Sequence, residues 1–183
     1  ETSNRYGRDL LYGVRDWMRE EGKWAVRFTE QARGAAVPSW LADWQGDGII
    51  ARVDSPKIAA ALKRTRLPVV DVSAERDASE FPRVSIDNVA VARLAVEHLG
   101  RKGFANFAYC GDERFLWSRQ RGAEFVRGLK AMGQGCALFE PAAKARRAPG
   151  SDAENRAIAD WLAQLPKPVG VFACYDGRAQ QVL

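Results

Sequence analysis

Short apolar runs alternate with helical apolar periodicity along the chain. The runs are WAVRF at 24–28, GIIAR at 48–52, LPVVDVS at 67–73, NFAYC at 106–110 and VGVFAC at 169–174. Between them, apolar residues recur three or four positions apart, as at Leu10, Val14 and Trp17. Short apolar runs are typical of strands buried on both faces, and the wider spacing is typical of helices. The pattern therefore predicts an α/β fold in which parallel sheets are flanked by helices.

Several predicted helices also have local start and stop signals. Candidate N-caps are Ser55 before Pro56, either Asp87 or Asn88, and Ser151 three positions before Glu154. The side-chain oxygens of such residues accept hydrogen bonds from the free N–H groups of a helix's first turn. The helical periodicity is followed by glycine at 22, 103 and 133, and glycine is favoured just after a helix end. These signals set the expected helix boundaries.

The order of the elements predicts two lobes. A chain of 183 residues can form one ordinary domain or two small lobes, and it shows no internal repeat. The helix that ends near Gly103 completes one run of β-α units, and NFAYC opens another. We therefore expect an N-terminal lobe at residues 1–104 and a second lobe at residues 105–183.

Composition and charge narrow the class of protein. The formal net charge is +5, but basic residues are scattered singly except for Lys144, Arg146 and Arg147 in a loop-like segment, so the chain itself is not expected to bind nucleic acid. Three cysteines without C-x-x-C spacing favour reduced thiols in the cytoplasm over disulfides or a zinc site. There is no run of about 18 apolar residues that could cross a membrane. Residues 1–20 also lack the apolar core of a signal peptide.

Enzyme signatures are missing from the sequence. The single histidine, His98, lies within a predicted apolar helix, where a structural role is favoured over catalysis. The chain contains no G-x-S-x-G elbow, P-loop or G-x-G-x-x-G turn. We therefore predict a protein that is not an enzyme, with no cofactor and no bound metal.

Polar residues follow several predicted strands, and open α/β sheets bind ligands at the carboxyl ends of their strands. They are Ser73, Gly111 with Asp112, and Tyr175 with Asp176, near the aromatic and cationic segments NRYGR at 4–8 and WSRQR at 117–121. An aromatic ring against a sugar's C–H face, with Arg and Asp bonded to its hydroxyls, suits a neutral carbohydrate. Trp117 in the core and Arg119 on a solvated helix face remain alternatives.

Taken in order, these segments resemble a known family. SNRYGRDLLYGVRDWMREEG, GDGIIAR, LPVVDVS, RVSIDNVAVARLAVEHLGRKGFANFAYCG, WSRQRGAEFVRGL and LPKPVGVFACYDGRAQQVL are similar to the effector-binding domain of LacI-type regulators. The resemblance is greatest to xylose-responsive regulators of the AraC/XylR type. It implies a type I periplasmic-binding-protein-like fold, with a second lobe that is incomplete within residues 105–183. The helix-turn-helix domain that binds DNA would lie outside this sequence.

The resemblance also implies ligand-binding residues. The turn after the family's first strand matches Asn4 and Tyr6, with Arg8 close by. An arginine at the start of the second lobe's first helix matches Arg121, and the aspartate of the family's Asn-Asp turn matches Asp176. Ser73 and Trp117 complete the predicted site. Tyr175 stands where many relatives have Asn, Asp176 alternatively caps a helix beginning near Arg178, and Arg121 alternatively pairs with Glu124.

Together these inferences predict the sensing domain of a bacterial transcription regulator. A sugar, xylose or a similar pentose, is expected to bind between the lobes and to control DNA binding allosterically in a cytoplasmic homodimer that does not bind membranes. A periplasmic sugar-binding protein of a transporter remains the main alternative, because it shares the fold. A flavodoxin-like enzyme is a second alternative, but it would need a phosphate-binding turn or catalytic pair that the sequence lacks.

Overall fold

The computed structural model describes residues 5–22, 24–30, 35–73, 80–140 and 150–183. Their contacts divide the chain into two compact units. The first unit contains the described residues up to 73 together with 80–83, and the second contains the described residues from 84 to 183. This division lies upstream of the boundary expected between residues 104 and 105, because the helix at 88–101 packs into the core of the second unit.

The first unit contains three helical segments and a parallel pair of strands among its described residues. Its elements are helix α1 (Arg5–Glu20), a 3-10 turn (Ser39–Asp43), strand β1 (Ile49–Ala51), helix α2 (Pro56–Thr65) and strand β2 (Val69–Asp71). The two strands pair in parallel, with Ile49 beside Val69. The core of this unit is a cluster around Leu41, Val53 and Leu62.

The segment WAVRF is not the strand that its composition predicts. No strand is assigned within residues 24–30, and Trp24, Val26 and Phe28 are each about half exposed, at 51%, 53% and 55%. A strand requires a neighbouring backbone to complete its hydrogen bonds, and among the described strands none pairs with this segment. The β propensity of the run is therefore insufficient without a partner.

The second unit has a three-stranded parallel sheet and four helices among its described residues. Its elements are helix α3 (Asn88–Arg101), strand β3 (Asn106–Cys110), helix α4 (Leu116–Ala131), strand β4 (Ala137–Leu138), helix α5 (Asp152–Gln164), strand β5 (Val169–Ala173) and helix α6 (Asp176–Val182). The strand order is β4-β3-β5, with β3 in the centre.

Helices cover both faces of this sheet. Phe107 and Tyr109 of β3 belong to a cluster with buried residues of α3 and α4, including Val96 and Phe125. The alternate residue Cys110 belongs to a second cluster with Ile158 of α5. Side chains alternate along a strand, so a central strand buried on both faces is apolar at successive positions, as in FAYC at 107–110, whose four residues are all buried. The predicted α/β fold with parallel sheets flanked by helices is confirmed.

Two glycines allow β3 and α4 to approach closely beside the candidate site. A Cβ at Gly111 or at Gly122 would lie 2.6 Å from the ring of Tyr109, which is shorter than real Cβ contacts. The space lets the Tyr109 hydroxyl donate to Ser118 O at 2.6 Å. The first turn of α4 is therefore fixed against the carboxyl end of β3.

Three predicted N-caps are confirmed in the structure. The side chains of Ser55, Asp87 and Ser151 accept hydrogen bonds from backbone N–H groups three residues on. Of the two alternatives for α3, Asp87 is the cap, and its Oδ1 accepts from Ala90 N at 2.9 Å. Capping depends on neighbours in sequence, which is why these positions are predictable from local patterns.

Replacing Asp87 with alanine is expected to destabilise the protein by about 1 kcal/mol, because the first turn of α3 loses its side-chain acceptor. That change corresponds to a fall in Tm of about 2–4 °C for a protein of this size. Urea and thermal unfolding would measure it. Glu97→Ala on the same helix is the control, since Glu97 is exposed and its pair with Arg93 is long at 3.8 Å. Equal effects of the two substitutions would contradict a capping role.

Candidate functional site

The predicted site residues of the first unit lie in two places. Tyr6 and Arg8 are within the first turns of α1, rather than ahead of a helix, and Ser73 follows β2. Asn4 lies outside the described residues. The Tyr6 hydroxyl donates to Val72 O at 3.0 Å, so the structure brings Tyr6 to the carboxyl end of β2. Arg8 is exposed, and residues two apart on a helix do not share a face.

The polar groups at the end of β2 form hydrogen bonds mainly with one another. Ser73 is 2% exposed, and its hydroxyl donates to Val53 O at 3.3 Å. The buried carboxylate of Asp71 accepts from Ser73 N at 2.8 Å and from Val53 N at 3.2 Å. Burial raises the pKa of the Tyr6 phenol, Arg52 opposes the rise, and the net change is upward. The phenol therefore stays neutral at physiological pH and can donate a hydrogen bond.

In the second unit, Trp117 and Arg121 lie side by side at the start of α4. They are four residues apart, so they share one helix face, and the Arg121 guanidinium carbon is 4.9 Å from the centre of the Trp117 ring. Nε of Arg121 donates to Asn88 Oδ1 at 3.0 Å, and Nη1 donates to Cys174 O at 2.7 Å. Arg121 therefore connects α4 with the start of α3 and the end of β5. It does not pair with Glu124, which pairs with Arg127 instead.

Three aromatic rings, including this arginine's ring partner Trp117, pack against one another. The rings of Phe115 and Trp117 are stacked, with centroids 5.1 Å apart and planes 10° apart. Tyr175 stands perpendicular to both, at 6.5 Å from Phe115 and 5.8 Å from Trp117. We call Phe115, Trp117 and Tyr175 the aromatic corner. Its members are partly exposed, with Tyr175 at 40%, so ring surface is accessible from solvent.

The Arg121 guanidinium keeps its charge in this setting. Burial lowers its pKa, while Tyr109 and Cys174 act in the opposite direction. An arginine begins from so high a pKa that a modest decrease leaves it protonated. Of its five N–H donors, two bond to the described part of the chain. The remaining donors are suited to hydroxyl or carbonyl oxygens of a ligand.

Asp176 lies beside the aromatic corner as the first residue of α6. It is exposed, and Tyr175 occupies the N-cap position without a side-chain cap bond. Asp176 is therefore not the cap of a helix that begins near Arg178. A carboxylate in a first turn interacts favourably with the helix dipole. It makes no side-chain hydrogen bond to the described residues, so its oxygens are available as acceptors.

A buried charge network lies next to this turn, and sequence reasoning missed most of it. Arg178, at 1% exposed, donates through Nη2 to Asp112 Oδ2 and to Glu154 Oε1, both at 3.2 Å. Arg114 also pairs with Asp112, and Gln181 donates to Glu154 Oε2 at 3.3 Å. Asp112 was noted only as a polar residue after a strand. Arg178 and Glu154 are 24 residues apart, and no local signal connects them.

The network favours ionised carboxylates. Burial opposes ionisation of both Asp112 and Glu154, but hydrogen bonds and positive charge outweigh it and lower both pKa values. For Asp112 the opposing groups are Arg114 and Arg178, and for Glu154 they include Gly150 N, Gln181 and Arg178. Two carboxylates thus face two guanidinium groups.

The described residues contain neither a metal-binding cluster nor a membrane-spanning helix. No group of three or more His, Cys, Asp or Glu side chains within them could hold a metal ion. In the same part of the chain, no helix is both long and apolar enough to span a bilayer. Near the end of β5, Arg121 offers donors, Asp176 offers acceptors and the aromatic corner offers apolar ring surface, which together suit a polar organic ligand with apolar faces.

Two family models match the chain in succession. The model described as the XylR N-terminal domain matches residues 1–92, and that of a periplasmic binding protein-like domain matches residues 96–183. The xylose operon regulatory protein of Escherichia coli K12 is 31% identical over 190 aligned positions, which cover all of this chain and 47% of that protein. The chain thus spans about half the length of this curated relative.

Solved structures show the same fold. The structure of a xylose-binding transcription activator, XylR, matches with a TM-score of 0.79 at 24% identity, covering all of this chain and 47% of that one. A LacI family transcriptional regulator from Enterococcus faecalis, solved with bound ribose, matches with a TM-score of 0.66 at 16% identity, covering all of this chain and 67% of that one. At these identities, the likeness establishes a periplasmic-binding-protein-like fold.

Proposed function

The chain belongs to the family of XylR N-terminal domains, and on this basis we propose that it is the sugar-sensing domain of a bacterial transcription regulator. The effector is a pentose, with xylose the first candidate. Sugar binding shifts the protein towards the conformation that binds the sugar more tightly, and DNA binding changes with it. The sugar is bound and not chemically changed, so the role is one of recognition and not of catalysis.

One observation carries the proposal: the Arg121 guanidinium lies over the Trp117 ring and donates to Cys174 O, two residues before Asp176. A pentose presents hydroxyls on its rim and C–H groups on its faces. A fixed guanidinium and a carboxylate can bond to the rim, while an aromatic ring covers a face. We propose Trp117, Arg121 and Asp176 as ligand contacts in the second unit. Asn4, Tyr6, Arg8 and Ser73 stay predicted contacts in the first.

The remaining functional assignments follow from the family. A regulator meets DNA in the cytoplasm, so we assign the protein to that compartment. DNA binding through a helix-turn-helix domain outside these 183 residues, and a homodimeric state, stay predictions. The transport binding protein is the less supported alternative, because the matched curated protein is an operon regulator.

Titration of the full-length protein with D-xylose tests the proposal. We expect saturable heat release in calorimetry and a rise in Tm. Ligand at 100 times Kd stabilises a protein by about 2.7 kcal/mol, equivalent to about 5–10 °C for a domain of this size. D-ribose would test the range of pentoses, and glycerol at equal concentration controls for non-specific stabilisation. Failure of both pentoses to bind at millimolar concentration would contradict the proposal.

A further inference from the structure

We propose that Arg178 is a positioning residue for the ligand site: its buried pairing with Asp112 and Glu154 fixes the turn that presents Tyr175 and Asp176. The inference rests on the proposed function, because the turn is fixed in order to position Tyr175 and Asp176 for sugar binding. Arg178 does not itself lie among the proposed ligand contacts. It acts through the position of α6.

The contacts of Arg178 connect three elements. Asp112 follows β3, Glu154 lies in the first turn of α5, and Arg178 lies in α6. One nitrogen, Nη2, reaches both carboxylates at 3.2 Å, and Nη1 donates to Gln181 Oε1 at 2.8 Å. Gln181 extends the same set by donating to Asn155 Oδ1 at 2.8 Å. A planar guanidinium with several fixed donors is suited to this geometry.

Helix α6 depends on such anchors. Its seven residues, Asp176–Val182, are too few for a stable isolated helix. The turn before it is held from the α4 side by the bond from Arg121 to Cys174 O. Arg178 holds it from the α5 side. Asp176 is two residues before Arg178, so movement of Arg178 would displace the carboxylate and the Tyr175 ring together.

Removing Arg178 would have two separable effects. The first is electrostatic, since Glu154, with 4% side-chain exposure, would lose its guanidinium partner. The second is geometric, since α6 would lose its connection to β3 and α5. Glu154→Gln in the Arg178→Met background removes the excess negative charge, while its amide can still bond to Gln181. The double variant therefore restores charge balance without restoring the anchor.

The test compares wild type, Arg178→Met, Arg178→Met with Glu154→Gln, and Arg178→Lys in the full-length protein. D-xylose affinity is measured by calorimetry, and exchange of the α6 amides by hydrogen–deuterium exchange. We expect Arg178→Met to weaken affinity about 3- to 30-fold and to speed exchange at α6 while α3 stays protected. The double variant should recover Tm but not affinity, and lysine should recover both only in part. Arg127→Met on α4 is the matched control, because Arg127 is an exposed arginine that pairs with Glu124 on the same helix.

The possible results separate the inference from the proposed function. Recovery of wild-type affinity in the double variant would show a purely structural role and overturn the inference, as would unchanged α6 exchange in Arg178→Met. If wild type binds neither D-xylose nor D-ribose, the proposed function fails. The exchange data then decide alone whether Arg178 holds the turn: faster exchange confined to α6 supports it, and unchanged exchange refutes it.

Discussion

Replacing Arg121 with alanine is expected to weaken pentose binding by about 10- to 150-fold, the equivalent of about 1.5–3 kcal/mol for a hydrogen bond to a charged group. The guanidinium is held by Asn88 Oδ1 and Cys174 O and lies over the Trp117 ring. Its remaining donors are therefore fixed in direction before the ligand arrives. Such preorganisation reduces the entropy lost on binding.

Calorimetric titration with D-xylose, well below the Tm of the variant, measures this loss separately from stability. The variant is also expected to unfold more easily, by about 1–3 kcal/mol, because Cys174 O and Asn88 lose a donor. Arg119→Ala is the matched control: it lies on the same helix and is exposed, and its side chain donates to Glu113 O. Wild-type affinity in Arg121→Ala would exclude Arg121 from the site.

Replacing Arg178 with methionine is expected to lower the free energy of unfolding by about 3 kcal/mol at pH 7, because a carboxylate is left buried without its partner. Asp112 retains Arg114, so the larger share of the loss belongs to Glu154. Methionine keeps much of the aliphatic volume of arginine. The loss is therefore mainly electrostatic, and it should depend on pH.

The direction of the pH dependence follows from the lowered pKa values. The carboxyl groups of Asp112 and Glu154 have pKa values below their ordinary 3.8 and 4.5 in the folded protein. Their stabilising effect is thus present above those ordinary values and is lost as the pH falls through the lower folded values. In Arg178→Met the unpaired Glu154 carboxylate takes up a proton at a higher pH than it does in the wild type. The difference between variant and wild type should shrink as the pH falls from 7 towards 4.

Urea unfolding at a series of pH values measures this difference. The control variant Arg127→Met should lose no more than about 0.5 kcal/mol and show little pH dependence, because an exposed helix pair contributes little. A deficit in Arg178→Met that stays constant between pH 7 and pH 4 would contradict the assignment of its cause to unpaired buried charge.

Local signals predicted the parts of the fold that depend on neighbours in sequence. Ser55, Asp87 and Ser151 cap helices as expected, and four of the five apolar runs contain the strands β1, β2, β3 and β5. Apolar periodicity predicted less accurately which face of a helix is buried. On α3, the apolar residue Leu94 is 58% exposed, whereas Ala92 and Val96 are buried, since the neighbours of a helix decide which of its apolar residues are covered.

The candidate site was predictable only in part for the same reason. Trp117 could be chosen from the sequence as part of an aromatic and cationic segment, and Arg121 from the resemblance to the family. The bonds of Arg121 to Asn88 and Cys174 could not be predicted, because those residues are 33 and 53 positions away from it. The strand-end rule found Tyr175 and Asp176 but not the perpendicular packing of Tyr175 on Trp117.

By itself, the sequence determined the α/β class, most helix starts and the family, because these depend on local periodicity, capping and ordered motifs. Tertiary structure alone decided that WAVRF forms no strand, since a strand requires a partner. It also decided that Arg178 joins Asp112 and Glu154 across 66 and 24 positions. Burial makes such pairs strong by removing competing water. Only the packed fold creates that burial, so the charge network that holds α6 beside the candidate site is a property of the structure.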